Sequence, residues 1–287
     1  MAFALETGSL APGLYLVSTP IGNARDITLR ALDILASAEV LAAEDTRSLR
    51  RLMEIHGIPL GGRHVVAYHD HNGPEARPGL LAALADGRSV AYASEAGTPL
   101  VSDPGYALVR DATRAGHRAF SAPGASAALA ALVVAGLPSD RFTFAGFTPT
   151  ARGARRTFLA GFAGLKGTLI FYETPRRLAA FLADANAALG GGREAVVCRE
   201  LTKRFEEVRR GTLAELAAGI AEMSLKGEAV VCIGPPVEAE VGEDDIEAAM
   251  TKEMQEVPVK EAARRVAEAL GVSRRDAYQI GLALKSR

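Results

Sequence analysis

Tryptophan is absent from this 287-residue chain, and cysteine occurs only twice, at Cys198 and Cys232. Two cysteines cannot build the disulfide framework of a small secreted scaffold. Each lies within an apolar, strand-like run and reads as a buried thiol in a reducing compartment. No apolar run approaches the roughly 18 residues that a membrane-spanning helix needs. The N-terminus has neither a basic start nor an apolar core, so a cytoplasmic location is expected rather than secretion. A dominant charge sign is missing too, since 33 basic and 34 acidic residues leave a net charge of −1. Any polyanionic partner must therefore be held by a local basic surface. Neither Gly-x-Gly-x-x-Gly nor a P-loop occurs, which removes the main support for dinucleotide or triphosphate binding. No metal is expected, because the histidine pair His69-x-His71 has no cysteine or third histidine nearby in sequence.

What the chain does have is alternation. Short apolar runs of strand length are separated by segments with helical spacing, the pattern of a parallel α/β sheet built from right-handed crossovers. Leu14–Val17 ends in Ser18-Thr19-Pro20-Ile21-Gly22-Asn23, and Asp26 is placed to cap the helix that follows. Val40–Ala43 ends in Glu44-Asp45-Thr46-Arg47, and the next helix stops at Gly57 and Pro59. Val65–Tyr68 ends in His69-Asp70-His71-Asn72. Val90–Ala93 runs into a connection of about ten small and turn-forming residues ending at Gly105, against the usual two to six. Strands in such a sheet offer their carboxyl ends to ligands, so these four loops are expected to line one cleft.

A fifth strand, His117–Ser121, leads to Ala122-Pro123-Gly124-Ala125-Ser126 and an alanine-rich helix. The second half continues with strands at Phe142–Phe147, Thr168–Tyr172, Ala195–Cys198, Phe205–Arg210 and Ala229–Ile233, the fourth of them read as antiparallel. A basic helix at Thr150–Phe162 carries Arg152, Arg155 and Arg156. Thr174 with Pro175 marks a helix start, and Thr212-x-x-Glu215 is a capping box. Acidic, proline-containing residues then precede apolar positions Ala262, Val266, Ala269 and Leu270 at helical spacing. The boundaries expected are a flexible tail at 1–12, α/β domains at 13–123 and 124–235, a linker at 236–245 and a helical appendage at 246–287.

Several stretches, in order, carry a resemblance. They are Ser18 to Asn23, Ala43 to Arg47, His69 to Asn72, Gly97-Thr98-Pro99 with Asp103-Pro104-Gly105, Gly136 to Phe142, Phe171-Tyr172-Glu173 and Arg199 to Lys203. Together they cover nearly the whole chain. The sequence resembles the S-adenosylmethionine-dependent methyltransferases of the tetrapyrrole-methylase superfamily, and within it the branch that methylates small-subunit ribosomal RNA. The resemblance implies a two-domain tetrapyrrole-methylase-like (class III methyltransferase) α/β fold with a small C-terminal helical appendage, the cofactor lying between the domains, often in a homodimer. It also implies methylation of the ribose 2′-oxygen of a cytidine in the decoding region of 16S rRNA, free or in the assembled subunit. Two positions depart from the pattern. Glu95 stands where aspartate is usual, and Thr174-Pro175-Arg176 replaces a serine and histidine.

On this reading Pro20, Ser94, Glu95, Ala96, Gly97, Asp103, Pro104, Gly105, Pro123, Ser126, Ala127 and Tyr172 contact S-adenosylmethionine. His69, Asp70 and Asp45 are the candidates to accept the ribose proton. Arg47, His71, Asn72, Arg152, Arg155, Arg156, Lys203 and Arg204 are candidate RNA contacts, the cations through phosphate. Phe144 and Phe147 are read as core. A methylase of a corrin or porphyrin ring, or a non-catalytic ribosome-binding module, are the alternatives. The first lacks the glycine-rich turn after strand one that such relatives carry.

Overall fold

The computed structural model describes residues 4–220, 226–237 and 242–286. The first five apolar runs form β1 (Gly13–Val17), β2 (Val40–Ala43), β3 (Val65–Ala67), β4 (Ser89–Ala93) and β5 (Ala119–Ala122). They make one wholly parallel sheet in the order β3-β2-β4-β1-β5. A parallel sheet is covered on both faces, and the period-2 alternation of its strands divides the core accordingly. Tyr15, Val17, Ala91 and Ala93 pack beneath α1 (Leu29–Ser37) and α2 (Thr46–Ile55). Leu14, Val90 and Tyr92 pack beneath α3 (Gly73–Ala85) and α4 (Tyr106–Arg114).

Two local expectations change here. Thr28, not Asp26, caps α1, accepting from the Ala31 amide at 3.2 Å. The segment expected to be a loose tail is anchored from residue 4 onward, residues 1–3 lying outside the described residues. Leu5 and Leu10 pack on the sheet core, and the Glu6 and Gly8 amides donate to Asp33 and Ser37.

The second sheet contains β6 (Phe142–Phe147), β7 (Thr168–Glu173), β8 (Glu194–Arg199), β9 (Glu207–Thr212) and β10 (Ala229–Ile233). Its order is β6-β7-β10-β8-β9, with only the β6–β7 pair parallel. Phe205, expected in the β9 strand, falls before it and is exposed. One face packs on α6 (Arg152–Ala160), α7 (Pro175–Leu189) and α8 (Leu213–Gly219), the last opened by the Thr212/Glu215 capping box. The other face packs on α5 (Ala127–Ala135), together with Ile21 from the loop after β1. That shared core explains why residues up to Pro236 form one compact unit instead of two parted at 123/124. Cys198 and Cys232 lie buried in it, and burial pushes their thiols up to about 11 and about 12.

The arginines of α6, read as phosphate contacts, share one acidic partner, and Arg155 is withdrawn from the surface. All three converge on Asp184 of α7, with Arg155 closest at 2.6 Å, Arg152 at 3.4 Å and Arg156 at 3.7 Å. Arg155 is buried and also donates to the Thr150 carbonyl, so it is a core ion-pair partner. Arg152 and Arg156 remain on the surface.

The second compact unit, Val237–Arg287, contains α9 (Glu243–Glu253), α10 (Val259–Leu270) and α11 (Arg274–Lys285) around Ile246, Met250, Ala262, Val266 and Ala277. Residues 243–245, expected in the linker, are the first turn of α9, and 238–241 lie outside the described residues. Gly281 lets α11 approach closely, since a Cβ there would meet Met250 Cε and Val259 Cγ1.

Arg155→Ala would leave the Asp184 carboxylate buried with weaker partners, at a cost of about 3–5 kcal/mol. Arg152→Ala, at an exposed site, should cost less than about 1 kcal/mol. Urea unfolding of the two variants checks the contrast.

Candidate functional site

The carboxyl ends of β1 and β4 are neighbours, and the loops that leave them bond to each other. Thr19 and Gly97 form an antiparallel bridge, with reciprocal amide bonds of 2.9 and 3.0 Å. The Ser94 hydroxyl donates to the Gly97 carbonyl at 2.5 Å, and the Thr98 hydroxyl donates to the Ala125 carbonyl at 3.0 Å. Between Gly97 and Gly105 the backbone enters the left-handed region at both glycines and at Leu100 and Ser102. For non-glycine residues that conformation costs about 1–3 kcal/mol each and persists only where the surroundings fix it.

This frame separates two cavities. The more enclosed one, about 360 Å³, is lined from the first half by Ile21, Glu44, Glu95, Ala96, Gly97, Thr98 and the Val101–Asp103 segment. The second half contributes Ser126, Ala127, Phe147, the Tyr172–Thr174 segment and the Gly227–Val230 segment. The other is an open groove of about 570 Å³ lined by Thr19, Pro20, Asp45, Arg47, Arg51, Ser94, Glu95 and the first two turns of α2. Among the described residues, Glu95 alone lines both.

Carboxylates gather in the enclosed cavity. Asp103 is pushed up to about 7, first by burial and then by Glu44 and Glu95. Its Oδ2 is buried with no hydrogen-bond partner among the described residues. Glu44 is also raised, chiefly by burial and then by Glu95. On the opposite wall Tyr172 accepts from the Ala128 amide in the first turn of α5 at 3.1 Å. The register shift between Phe144 and Gly146 brings both flanking rings to Tyr172, with centroids at 4.8 and 5.6 Å. In an unbroken strand, residues three apart would face opposite ways. Phe147, read from sequence as core, is therefore an exposed ring lining the cavity.

The cavity thus combines an aromatic wall, a backbone-lined floor and an unpartnered buried carboxylate. These features fit S-adenosylmethionine, an adenosine joined to a cationic sulfonium and ammonium. Ala96, Gly97, Asp103, Ser126, Ala127 and Tyr172 line it, and Glu95 lies on its border. Pro20 and Ser94 line the open groove instead. Pro104, Gly105 and Pro123 line neither cavity and shape the loops behind. The Pro104 carbonyl accepts from Tyr92, a Cβ on Gly105 would sit 2.7 Å from the Tyr92 ring, and the Pro123 carbonyl accepts from Thr28.

The expected proton acceptors fare less well. Asp45 caps α2 through the Arg47 and Ser48 amides and pairs with the Arg47 guanidinium at 3.1 Å. The bond from the Arg47 side chain, aided by its amide, holds this carboxyl below its usual range, which weakens it as a base. His69, Asp70 and His71 line neither cavity. Asn72 is committed to the turn, accepting from the His69 amide and donating to the Ala67 carbonyl. Among the RNA candidates, Arg47 lines the open groove. Lys203 is held by Glu200 and Glu228 at 3.0 and 2.9 Å, and Arg204 lies over Phe205. Glu44 and Glu173 are cavity residues that the sequence reading passed over. Glu173 is buried and tied to Thr148, the Thr174 amide and Arg177.

Comparison with known proteins agrees with this architecture. The model for tetrapyrrole (corrin/porphyrin) methylases matches residues 13–217, and that for an RsmI C-terminal HTH domain matches 240–285. A cobalt precorrin-4 methyltransferase superposes with a TM-score of 0.58 at 19% identity, covering 77% of this chain and 94% of its own. A Thermus thermophilus uroporphyrin-III C-methyltransferase complexed with S-adenosylhomocysteine gives 0.52 at 24%, covering 77% and 97%. At such identities these likenesses concern the fold.

Fold and cavity together define a class III α/β methyltransferase, of the kind that takes its methyl group from S-adenosylmethionine. A Mesorhizobium japonicum protein named ribosomal RNA small subunit methyltransferase I is 51% identical over 96% of this chain and 93% of its own. Proteins of the same name from Vibrio cholerae and Escherichia coli O157:H7 are 43% and 42% identical, each over 94% or more of both chains. The chain belongs to the tetrapyrrole methylases and, within them, to the ribosomal RNA small subunit methyltransferase I family.

The raised carboxyl of Asp103 gives the site a pH signature. Its folded value lies above the unfolded value of about 4, so its proton favours the fold at low pH. That contribution is lost as pH rises through about 7. Asp103→Asn should therefore gain in Tm over the wild-type protein as pH rises from about 4 to about 7, in ligand-free thermal scans. A Tm difference independent of pH would contradict the assigned environment.

Proposed function

We propose that the protein transfers a methyl group from S-adenosylmethionine to small-subunit ribosomal RNA, and that the acceptor is the 2′-oxygen of a cytidine in the decoding region of 16S rRNA. The single observation carrying this reading is the 51% identity across 96% of the chain to a relative of that name. The two-cavity site fits it, because a donor and a bulky acceptor each need their own approach to one reacting point. A tetrapyrrole acceptor has only the likeness of fold in its favour.

In this reading the enclosed cavity holds the donor, with Asp103 and the Ala96–Gly97 backbone on one side and Tyr172, Phe147 and the start of α5 on the other. Bound there, the donor supplies an electrophilic methyl group on a sulfonium. The chain's task is alignment of two reactants, which is worth about 7–11 kcal/mol when the reacting atoms meet at the right distance and angle. The frame of Thr19, Ser94 and Gly97 holds the divide between the cavities still. The acceptor strand approaches through the open groove, where Arg47 and Arg51, one turn apart on α2, offer cations to phosphate.

The helical unit gives a second hold on RNA. Arg264 is occupied by Glu261 and Glu268, and Arg265 by Glu253. Lys260, Arg274, Arg275 and Lys285 are exposed and have no ion pair among the described residues. A homodimer is part of this reading, and exposed Leu129 and Val133 on α5 offer an apolar face for it.

Purified small subunits incubated with methyl-labelled donor, then digested to nucleosides, should yield labelled 2′-O-methylcytidine. Label on a base, or none, would contradict the proposal. Truncation after Pro236 should leave donor affinity in calorimetry within about threefold while weakening RNA binding at least tenfold. Arg47→Glu should lower the salt slope of RNA binding by roughly 0.7, the value for one phosphate contact on a single strand. An unchanged slope would place the strand elsewhere.

A further inference from the structure

We infer that Glu95 is the catalytic residue that accepts the proton of the acceptor hydroxyl. The inference rests on the methyl-transfer reading above and adds the base, which the sequence reading sought at His69, Asp70 or Asp45. In a displacement the donor carbon, the acceptor oxygen and the leaving sulfur lie in line, so the oxygen must stand where the acceptor and donor cavities meet. Glu95 is the residue common to both linings.

Its surroundings suit the role. Glu95 follows the buried Ser94 in the loop that Thr19 clamps, so its backbone is fixed while its side chain is exposed to the cavities. The Glu44 carboxylate at the end of β2 lies beside it in the enclosed cavity. No hydrogen bond or ion pair occupies the Glu95 carboxylate among the described residues. Asp45, by contrast, caps α2 through one oxygen and pairs with the Arg47 guanidinium through both. The charged groups facing this region are Glu44 at the end of β2, Arg47 on α2, Asp103 in the long loop, and Asp70 and His69 after β3, which act on Glu44. The charged groups that line the groove where an RNA strand can enter are Asp45, Arg47, Arg51 and Glu95; the arginines cannot accept a proton, and Asp45 is engaged by its helix cap and Arg47.

The step balances. The hydroxyl O–H bond breaks and its proton goes to the Glu95 carboxylate, which becomes a neutral acid. The oxygen forms a bond to the methyl carbon, and the electron pair of the broken carbon–sulfur bond stays on sulfur. One negative charge on the carboxylate and one positive charge on the sulfonium disappear together, with no other reactant. After turnover the proton leaves Glu95 for solvent through the open groove, which restores the carboxylate.

The test compares wild-type protein, Glu95→Gln and Glu95→Asp on small subunits, with donor affinity by calorimetry and RNA affinity by filter binding. Positioned proton acceptors contribute about 10²–10⁴-fold. Glu95→Gln should lose at least about 100-fold in single-turnover rate and should lose the acid limb of the pH–rate profile, with both affinities within about threefold and Tm unchanged. Glu95→Asp, keeping the carboxylate, should recover at least tenfold of that loss and retain the acid limb. Glu95→Gln that stays within tenfold of wild type, or keeps the acid limb, overturns the assignment. So does a loss confined to donor affinity, which would make Glu95 a donor contact. If wild-type protein binds the donor yet methylates no subunit, the functional reading fails and this inference falls with it; an active wild type beside an equally active variant sinks the inference alone.

Discussion

The bridge between Thr19 and Gly97 is the constraint on which the site depends. It joins the exits of two adjacent strands in the middle of the parallel sheet and is reinforced by Ser94, which donates to the same Gly97 carbonyl. Without it the loop after β4, which visits the left-handed region four times, would lose the tie that fixes its start to β1 and would rely on the bonds of Thr98 and Pro104 alone. With it, Glu95 is fixed at the divide between cavities and Asp103 is turned into the interior. The same frame reaches the second half of the molecule through Thr98 and Ala125, and through Asn23, whose amide donates to Thr202.

Charge is arranged inside the site in a way the near-neutral whole conceals. Glu44 and Asp103 lie close together in the enclosed cavity with Glu95 beside them, and burial, with the neighbouring negative charges, raises both the Glu44 and the Asp103 carboxyl. A cationic ligand relieves that repulsion, whereas an anionic one would deepen it. The positive groups lie outside, at Arg47 and Arg51 along the open groove. On the proposed reading, donor and acceptor are sorted by charge as well as by shape, the cationic cofactor inward and the polyanion outward.

Much of this was legible in the sequence. Apolar runs of strand length placed both sheets, and the unusual length of the connection from Ser94 to Gly105 marked the site, because a loop that long in a compact fold needs a reason. What was not legible depends on tertiary pairing. Asp45 and Glu44 are adjacent carboxylates at one strand end, and only the start of α2 decides that Asp45 is spent on capping while Glu44 faces the cavity. Arg155 reads like its neighbours until Asp184, 29 positions away, claims it. Phe147 was assigned to the core by simple alternation, which the irregularity at Gly146 breaks. The anchored N-terminal segment was missed because Leu5 and Leu10 are too few to show a pattern by themselves.

The proposed separation of donor from acceptor at Glu95 is tested most directly by a crystal structure of the protein with S-adenosylhomocysteine. Density for the nucleoside against Tyr172 and Phe147, with the amino-acid portion toward Asp103 and the open groove free, is the predicted result. Density in the groove beside Arg47 and Arg51, with the enclosed cavity empty, would contradict it.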